Sequence, residues 1–126
     1  MKKIEVVAAV IVDGDKILAT QRGYGEFKGK WEFPGGKIEQ NEDKKHALKR
    51  EIKEELNVDV NVNDYITTVE WQYPNFFMTL HAFYASIDNG SLELIEHLDK
   101  KWLSKDQLDS VDWISADIDI VKIIKN

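Results

Sequence analysis

Cysteine is absent from this chain of 126 residues, and acidic residues outnumber basic ones. Without cysteine there is no disulfide framework and no thiolate metal site. The 17 Lys and Arg against 23 Asp and Glu give a net charge of -6. This charge argues against binding to duplex nucleic acid or to an anionic membrane, because both require a basic surface. A nucleotide is not excluded, since a metal ion and a few local cations can neutralise its phosphates.

Long hydrophobic runs are also missing. The most apolar stretch lies near the N-terminus, but Glu5 interrupts it and Asp13-Gly14 ends it. We therefore expect a strand here, rather than a signal peptide or a membrane span, and a cytoplasmic protein. The hydrophobic fraction of 43% and the charged fraction of 32% are those of a soluble globule. We expect one domain over residues 1–126, acting as a monomer or homodimer.

Turn signals divide the chain into alternating short elements. Pro34-Gly35-Gly36 is predicted to be a tight turn. The mixture of hairpins and helices favours the α/β class, and an α/β/α sandwich with a mixed β-sheet fits it. Strands are predicted over 4–12, 16–21, 31–33, 58–70 and 76–87 with a strand end at 102–103, and helices from 41 or 43, over 104–108 and over 116–124.

The stretch from Gly35 to Val58 is the most informative part of the chain. If its central run is helical, Glu51, Glu54 and Glu55 stand at i, i+3 and i+4 on one side of the helix. Like charges at this spacing repel, so a cation has to offset them. An apolar stripe on a neighbouring face would dock the helix on a core; it consists of Leu48, Ile52 and Leu56. This is the layout of a metal site, although a solvated acidic face is the usual meaning of EIKEEL alone.

The spacing of these residues resembles the Nudix box, Gly-x5-Glu-x7-Arg-Glu-U-x-Glu-Glu-x-Gly-U, where U is a bulky aliphatic residue. Reading from Gly36, eight of the nine specified positions match. The departure is Asn57, where the family has Gly. We expect Asn57 to cap the helix in the left-handed conformation, which Asn tolerates better than most residues. The resemblance implies the Nudix α/β/α sandwich and a hydrolase of phosphoanhydride bonds.

The resemblance also implies roles for the residues of the box. In the family, three glutamates of the helix bind the metal ions. The resemblance implies that these are Glu51, Glu54 and Glu55 here, and that the backbone carbonyl of Gly35 is a further ligand. Arg50 is expected to orient the glutamates, and Glu42 supports them from the start of the helix. Carboxylate ligands suit Mg2+, with Mn2+ as a substitute.

Outside the box, IEVVAAVIVDGDKILATQR, KWEFPGGKIE, TLHAFYA and EHLDKKWLS resemble MutT-type nucleoside triphosphate pyrophosphohydrolases, most of all the CTP pyrophosphohydrolase branch. In that group a Glu about six residues before a Trp joins the metal site and is a candidate general base. Glu96 matches, although an exposed loop glutamate is the alternative. Arg22 and Lys37 are predicted to bind the triphosphate, with solvated surface cations as the alternative.

The base pocket is predicted from three residues. Phe33 and Tyr73 match aromatic positions that line the base in MutT-like enzymes, although core packing is the alternative for both. Asp117 matches the position that reads the base edge, where enzymes for oxidised guanine have Asn. An ionised Asp only accepts hydrogen bonds, which suits cytosine N4; a helix N-terminal residue favoured by the macrodipole is the alternative. The three histidines fit no zinc motif and are interpreted as structural or surface residues.

The leading hypothesis is therefore a Mg2+-dependent pyrophosphohydrolase that cleaves NTP or dNTP to NMP or dNMP and diphosphate. Cytosine nucleotides are the expected substrates, in sanitation of the nucleotide pool. One alternative keeps the chemistry and changes the substrate to 8-oxo-dGTP, which would make the protein an antimutator in DNA repair. Another is a catalytically inactive Nudix domain used as a ligand sensor, but no glutamate of the box is lost.

Overall fold

Strand β1 (Lys2–Asp13) is the centre of the sheet in the computed structural model, which describes residues 1–126. It pairs in parallel with β6 (Phe76–Asn89) and antiparallel with β2 (Lys16–Gln21) and β4 (Gly35–Lys37). Strands β3 (Trp31–Glu32) and β7 (Asp99–Leu103) flank β2, and β5 (Asp59–Gln72) flanks β6. The predicted mixed sheet is confirmed.

Both faces of β1 are buried, as its nearly continuous apolar sequence predicts. Val7 and Ala9 belong to the core beneath helix α1 (Lys44–Leu56), and Ala8 and Val10 belong to the core beneath helix α2 (Ser115–Ile124). Helices therefore pack on opposite faces of the sheet, and the α/β/α sandwich is confirmed. A 3-10 helix (Lys105–Ser110) precedes α2, and neither α-helix has the length and hydrophobicity needed to span a membrane.

Helix α1 is bounded as its sequence predicts. The carboxylate of Asp43 accepts a hydrogen bond of 2.8 Å from the backbone N–H of His46, which caps the start of the helix. Asn57 ends it in the left-handed conformation, with φ 55° and ψ 36°, and its N–H donates to the carbonyl of Lys53. The departure from the family's Gly therefore preserves the cap.

The predicted tight turn over residues 34–36 is wrong. Gly35 and Gly36 instead open strand β4, where they pair with Ala8 and Val7. The two strands approach so closely that a Cβ on Gly35 would lie 1.9 Å from the carbonyl oxygen of Val7. The glycines therefore serve close backbone contact here, a use of glycine that resembles a turn signal in sequence. Other boundaries differ from prediction by a few residues, the usual scatter at element ends.

Candidate active site

A cleft of about 590 Å³ brings the predicted site residues together. It is bordered by the start of β1, the loop after β2, strand β4, helix α1 and the segment before β7. A more open groove of about 700 Å³ beside Glu39 and Glu42 contains none of the predicted ligands. Every predicted site residue except Arg50 lines the cleft, namely Arg22, Phe33, Gly35, Lys37, Glu51, Glu54, Glu55, Tyr73, Glu96 and Asp117.

Two glutamates of α1 are held against strand β4 at one end of the cleft. Glu55 is only 5% exposed, and its Oε1 accepts a hydrogen bond of 3.2 Å from the backbone N–H of Gly35. The carboxylate of Glu51 lies over Gly36, where a Cβ would come within 2.3 Å of Oε2. A side chain at Gly36 would therefore displace this carboxylate.

The electrostatics of this end call for a cation. Burial raises the pKa of Glu55 well above its ordinary value, and the negative charge of Glu32 adds to the effect. Burial also raises the pKa of Glu51, against the opposing effect of Arg50, and Glu54 and Glu96 raise it further. These carboxyls therefore lie close enough to repel one another, and a bound cation would lower each pKa.

The donor set fits a hard divalent cation, because it consists of carboxylate oxygens and a backbone carbonyl without nitrogen or sulfur ligands. No three acidic side chains stand in positions to bind one ion together. Glu54 and Glu96 are exposed, so their side chains can rotate toward Glu51 and Glu55. The predicted ligands thus lie in one cleft, and the side chains of Glu54 and Glu96 have to rotate before all of them can bind one ion.

Arg50 lies behind the carboxylates rather than in the cleft. Its guanidinium binds Glu42 through two hydrogen bonds, Nε to Oε2 at 2.8 Å and Nη2 to Oε1 at 2.9 Å. Nη1 donates to Glu51 at 2.9 Å and approaches Glu54 at 3.4 Å, and Nη2 donates to the carbonyl of Lys37 at 3.0 Å. One side chain therefore fixes helix α1, strand β4 and the glutamates relative to one another.

Asp117 also lines the cleft and is only 4% exposed. Its Oδ2 accepts a hydrogen bond of 2.9 Å from the backbone N–H of Phe33. Burial raises the pKa of Asp117 to about 8, although the bond from Phe33 opposes the shift. This acid therefore exchanges its proton near neutral pH, unlike an ordinary Asp.

The two predicted aromatic residues are walls of the cleft that also belong to the core. The ring of Phe33 stacks on Trp113 with centroids 4.5 Å apart, and Tyr73 stacks on Phe76 at 4.9 Å. Both are more than nine-tenths buried. The two side chains therefore pack in the core and also line the cleft. Tyr24, which the sequence did not single out, also lines the cleft and is 57% exposed.

Glu32 and His97 are two further cleft residues that sequence reasoning missed. Glu32 Oε1 accepts a bond of 3.2 Å from Arg22. Of the two cations predicted to bind the triphosphate, Arg22 is therefore already paired, whereas Lys37 is exposed. Glu32 Oε2 lies 3.1 Å from Nε2 of His97, whose side chain is 4% exposed and whose Nδ1 has no partner. His97 follows Glu96 directly, which was the available signal that it would reach the site.

The fold and this cleft define a Nudix hydrolase, and the chain belongs to the Nudix family. The family's sequence model, described as the NUDIX domain, matches residues 2–121. The chain is similar to the CTP pyrophosphohydrolase of Escherichia coli (strain K12), with 36% identity over 97% of this chain and 91% of that protein. It is also similar to an 8-oxo-dGTP diphosphatase of Proteus vulgaris, with 39% identity over 65% of this chain and 75% of that protein.

A solved structure supports the same fold. The crystal structure of a MutT NUDIX hydrolase from Burkholderia pseudomallei superposes with a TM-score of 0.90 at 22% identity, over 98% of this chain and 99% of that one. The Nudix resemblance predicted from the box is therefore confirmed, as are the α/β fold and the assignment as an enzyme. Nudix hydrolases act on small nucleotide substrates with divalent metal ions.

Proposed function

We propose that this enzyme is a Mg2+-dependent nucleoside triphosphate pyrophosphohydrolase that acts on CTP, dCTP or modified cytosine nucleotides. The observation that carries this proposal is that the box glutamates and Asp117 line one cleft at separate places, the glutamates at Gly35 and Gly36 and Asp117 at Phe33. A nucleotide has a matching layout, with phosphates at one end and a base edge at the other. Its place of action would be the nucleotide pool of the cytoplasm.

At the phosphate end, the proposed metal ligands are Glu51, Glu54, Glu55, Glu96 and the carbonyl of Gly35. When bound, Mg2+ or Mn2+ supplies charge neutralisation at the phosphate oxygens and lowers the pKa of water. Metal binding needs the ionised carboxylates, which the burial of Glu51 and Glu55 disfavours in its absence.

The remaining polar residues of this end are assigned by position. Lys37 is exposed at the cleft and available for the triphosphate, whereas Arg22 would reach it while keeping its bond to Glu32. Glu96 lines the cleft from the segment between β6 and β7, where it can accept a proton from attacking water. Arg50 lies outside the cleft and binds the glutamates and the carbonyl of Lys37, so we assign it a positioning role.

Arg50→Lys is expected to lower kcat by about 10- to 100-fold, with little change in KM. A single ammonium group cannot bind Glu42 through two hydrogen bonds and also reach Glu51 and the Lys37 carbonyl. Steady-state kinetics with saturating Mg2+ would measure the effect. Lys53→Ala is the control. Lys53 lies on the same helix as Arg50 but outside the cleft, where it pairs with Asp59 at 3.8 Å. Unchanged kcat in Arg50→Lys would refute the positioning role.

At the base end, Asp117 keeps one oxygen on the Phe33 N–H and presents the other to the ligand. In the ionised form this oxygen accepts from an exocyclic amine such as cytosine N4. In the protonated form it can donate, which suits a carbonyl at the same position of the base. Because the pKa of Asp117 is about 8, base preference is expected to change with pH.

The ratio of kcat/KM for CTP over UTP is expected to rise at least about tenfold between roughly pH 6 and 9. The ratio cancels any titration of the metal site, which both substrates share. Asp117→Asn is expected to hold its oxygen on Phe33 N–H and direct its NH2 to the base, so the ratio should stay low at every pH. A wild-type ratio that does not change with pH would contradict this account of Asp117.

A second candidate substrate is 8-oxo-dGTP, and Asp117 supplies the observation for it. A protonated Asp both donates and accepts, as does the Asn expected in enzymes for oxidised guanine. With its pKa raised to about 8, Asp117 has this form at neutral pH. Turnover of 8-oxo-dGTP is therefore expected to be favoured at neutral pH, and turnover of cytosine nucleotides above about pH 8.

Product analysis tests the reaction itself. With Mg2+ and CTP, we expect CMP and diphosphate in equal amounts, no release of orthophosphate, and loss of turnover in EDTA. Release of CDP and orthophosphate would contradict pyrophosphohydrolase chemistry. Turnover that persists in EDTA would contradict the metal requirement.

A further inference from the structure

Glu96 lies in a part of the chain that secondary structure does not hold in place. Residues 91–98 connect β6 to β7 without a helix or strand, and Glu96 is exposed. A metal ligand or general base has to be placed accurately, because a misplacement of about 1 Å can lower a rate by roughly 100-fold. The position of Glu96 must therefore come from tertiary contacts.

Three backbone hydrogen bonds attach this segment to the fold. The N–H groups of Glu93 and Ile95 donate to the carbonyls of Leu56 and Glu55, at 2.9 and 3.2 Å. These carbonyls belong to the last turn of α1 and have no partner within the helix. On the other side of Glu96, the N–H of Leu98 donates to the carbonyl of Gln21 at 2.9 Å.

Gly23 contacts the backbone of Glu96 directly. A Cβ on Gly23 would lie 2.3 Å from the carbonyl oxygen of Glu96 and 3.7 Å from the Cα of His97. The backbone of Gly23 is not in the left-handed region, so its φ alone does not require glycine. The close approach of the Glu96 segment is what excludes a side chain here.

His97 holds the same segment from within the cleft wall. Its buried side chain lies 3.1 Å from the carboxylate of Glu32, which also accepts from Arg22. Arg22 directly precedes Gly23. The contact of Gly23 with Glu96 and the contact of His97 with Glu32 therefore both attach the segment to the residues that follow β2. The backbone on both sides of the Glu96 side chain is therefore fixed to one place.

We propose that Gly23 and His97 are positioning residues that hold the backbone of Glu96 where its carboxylate can reach the box glutamates. This inference rests on the proposed role of Glu96 in metal binding and proton transfer. Neither residue belongs to the Nudix box, and neither needs to touch the substrate for this role.

The first test is Gly23→Ala, which must move either the loop after β2 or the Glu96 segment. We expect kcat to fall by about 10- to 100-fold with little change in KM. We also expect weaker Mn2+ binding to the free enzyme, measured by calorimetry without substrate. Gly29→Ala is the control, because Gly29 lies in the same loop, has φ 91° and has no heavy atom within 4 Å of its Cβ position. Gly29→Ala perturbs the backbone of the loop but does not touch the Glu96 segment, so it should leave kcat and Mn2+ affinity nearly unchanged.

A double-mutant cycle with Glu96→Gln separates the possible outcomes. If Gly23 acts through Glu96, the double variant is as slow as Glu96→Gln alone. Additive losses, or wild-type kcat and Mn2+ affinity in Gly23→Ala, would overturn the inference while leaving the proposed function intact. If Glu96→Gln itself has full activity, the proposed role of Glu96 fails and the inference fails with it.

A second double-mutant cycle combines His97→Leu with Glu96→Gln. It is independent of the first and replaces it if Gly23→Ala does not fold. The change removes the bond to Glu32 and keeps a side chain of similar bulk in a buried position. We expect the same loss in kcat and in Mn2+ affinity, and no further loss when it is combined with Glu96→Gln. An unchanged kcat would remove His97 from the positioning role.

Discussion

Glu54→Gln is expected to lower kcat by about 1,000-fold or more, since a lost metal ligand removes several kcal/mol of transition-state stabilisation. The fold should be unaffected. The Glu54 side chain is 56% exposed, and its interaction with Arg50 is a long contact of 3.4 Å. Gln keeps the size of the side chain and removes only the charge.

Glu39→Gln is the matched control for this prediction. Glu39 also pairs with Arg50, at 3.1 Å, and is 65% exposed, but it lies outside the cleft. If charge near Arg50 were the important quantity, both variants would lose activity. Loss in Glu54→Gln alone, with matching thermal unfolding curves, would support metal binding. Full activity in Glu54→Gln would refute the assignment of Glu54 as a ligand.

Asp117→Asn is expected to stabilise the protein by up to about 4 kcal/mol at pH 7. The pKa of Asp117 rises from an ordinary 3.8 to about 8 on folding. Below the lower value both states bind the proton, and there is no penalty. As pH rises from 3.8 to 8 the unfolded state loses its proton first, so wild-type stability falls steadily. Asn does not titrate and still accepts the bond from Phe33.

Urea unfolding at about pH 4, 6, 7 and 8.5 would measure this difference. The advantage of Asp117→Asn should be near zero at the lowest pH and should grow until about pH 8. Asp119→Asn is the control, because Asp119 lies on the same helix, changes the charge equally and is only partly buried. Parallel pH profiles for the wild type and Asp117→Asn would show that Asp117 is not held in its protonated form.

Taken together, these two variants separate the ends of the cleft. Glu54→Gln should remove catalysis without changing stability, and Asp117→Asn should raise stability while changing base preference. The proposed role of Asp117 in base recognition would explain why a buried acid is kept at a cost to stability, since poorly solvated groups persist where a ligand uses them. An Asp that served only as a helix N-terminal residue would gain nothing from burial.

The local structure followed from sequence because local rules decide it. The carboxylate of Asp43 and the left-handed Asn57 bound α1 as capping chemistry predicts. The helical period placed Glu51, Glu54 and Glu55 on one side of α1, but the sequence did not show that Glu55 would be buried and Glu54 exposed. Burial depends on strand β4, which contacts the helix from a different part of the chain.

Contacts between distant residues were less accessible to sequence reasoning. Glu32 and His97 are separated by 65 positions and form one hydrogen bond, and nothing in the local sequence of either predicts the other. Gly35 and Gly36 were assigned to a turn because glycine pairs usually mark one. Their true role depends on β1, which brings its backbone against them. Such pairings are set by topology and become visible only in the folded chain.

The most direct test of the proposed function is a pyrophosphate-release screen with Mg2+. CTP, dCTP, 5-methyl-dCTP and 8-oxo-dGTP would be compared, with nucleotide sugars and dinucleotides as outgroups. At about pH 9, where Asp117 is ionised, the account predicts turnover of triphosphates with a clear preference for the cytosine set. A preference for 8-oxo-dGTP would contradict the assignment to cytosine and support the antimutator role. Mn2+ binding without turnover of any triphosphate would contradict the central claim.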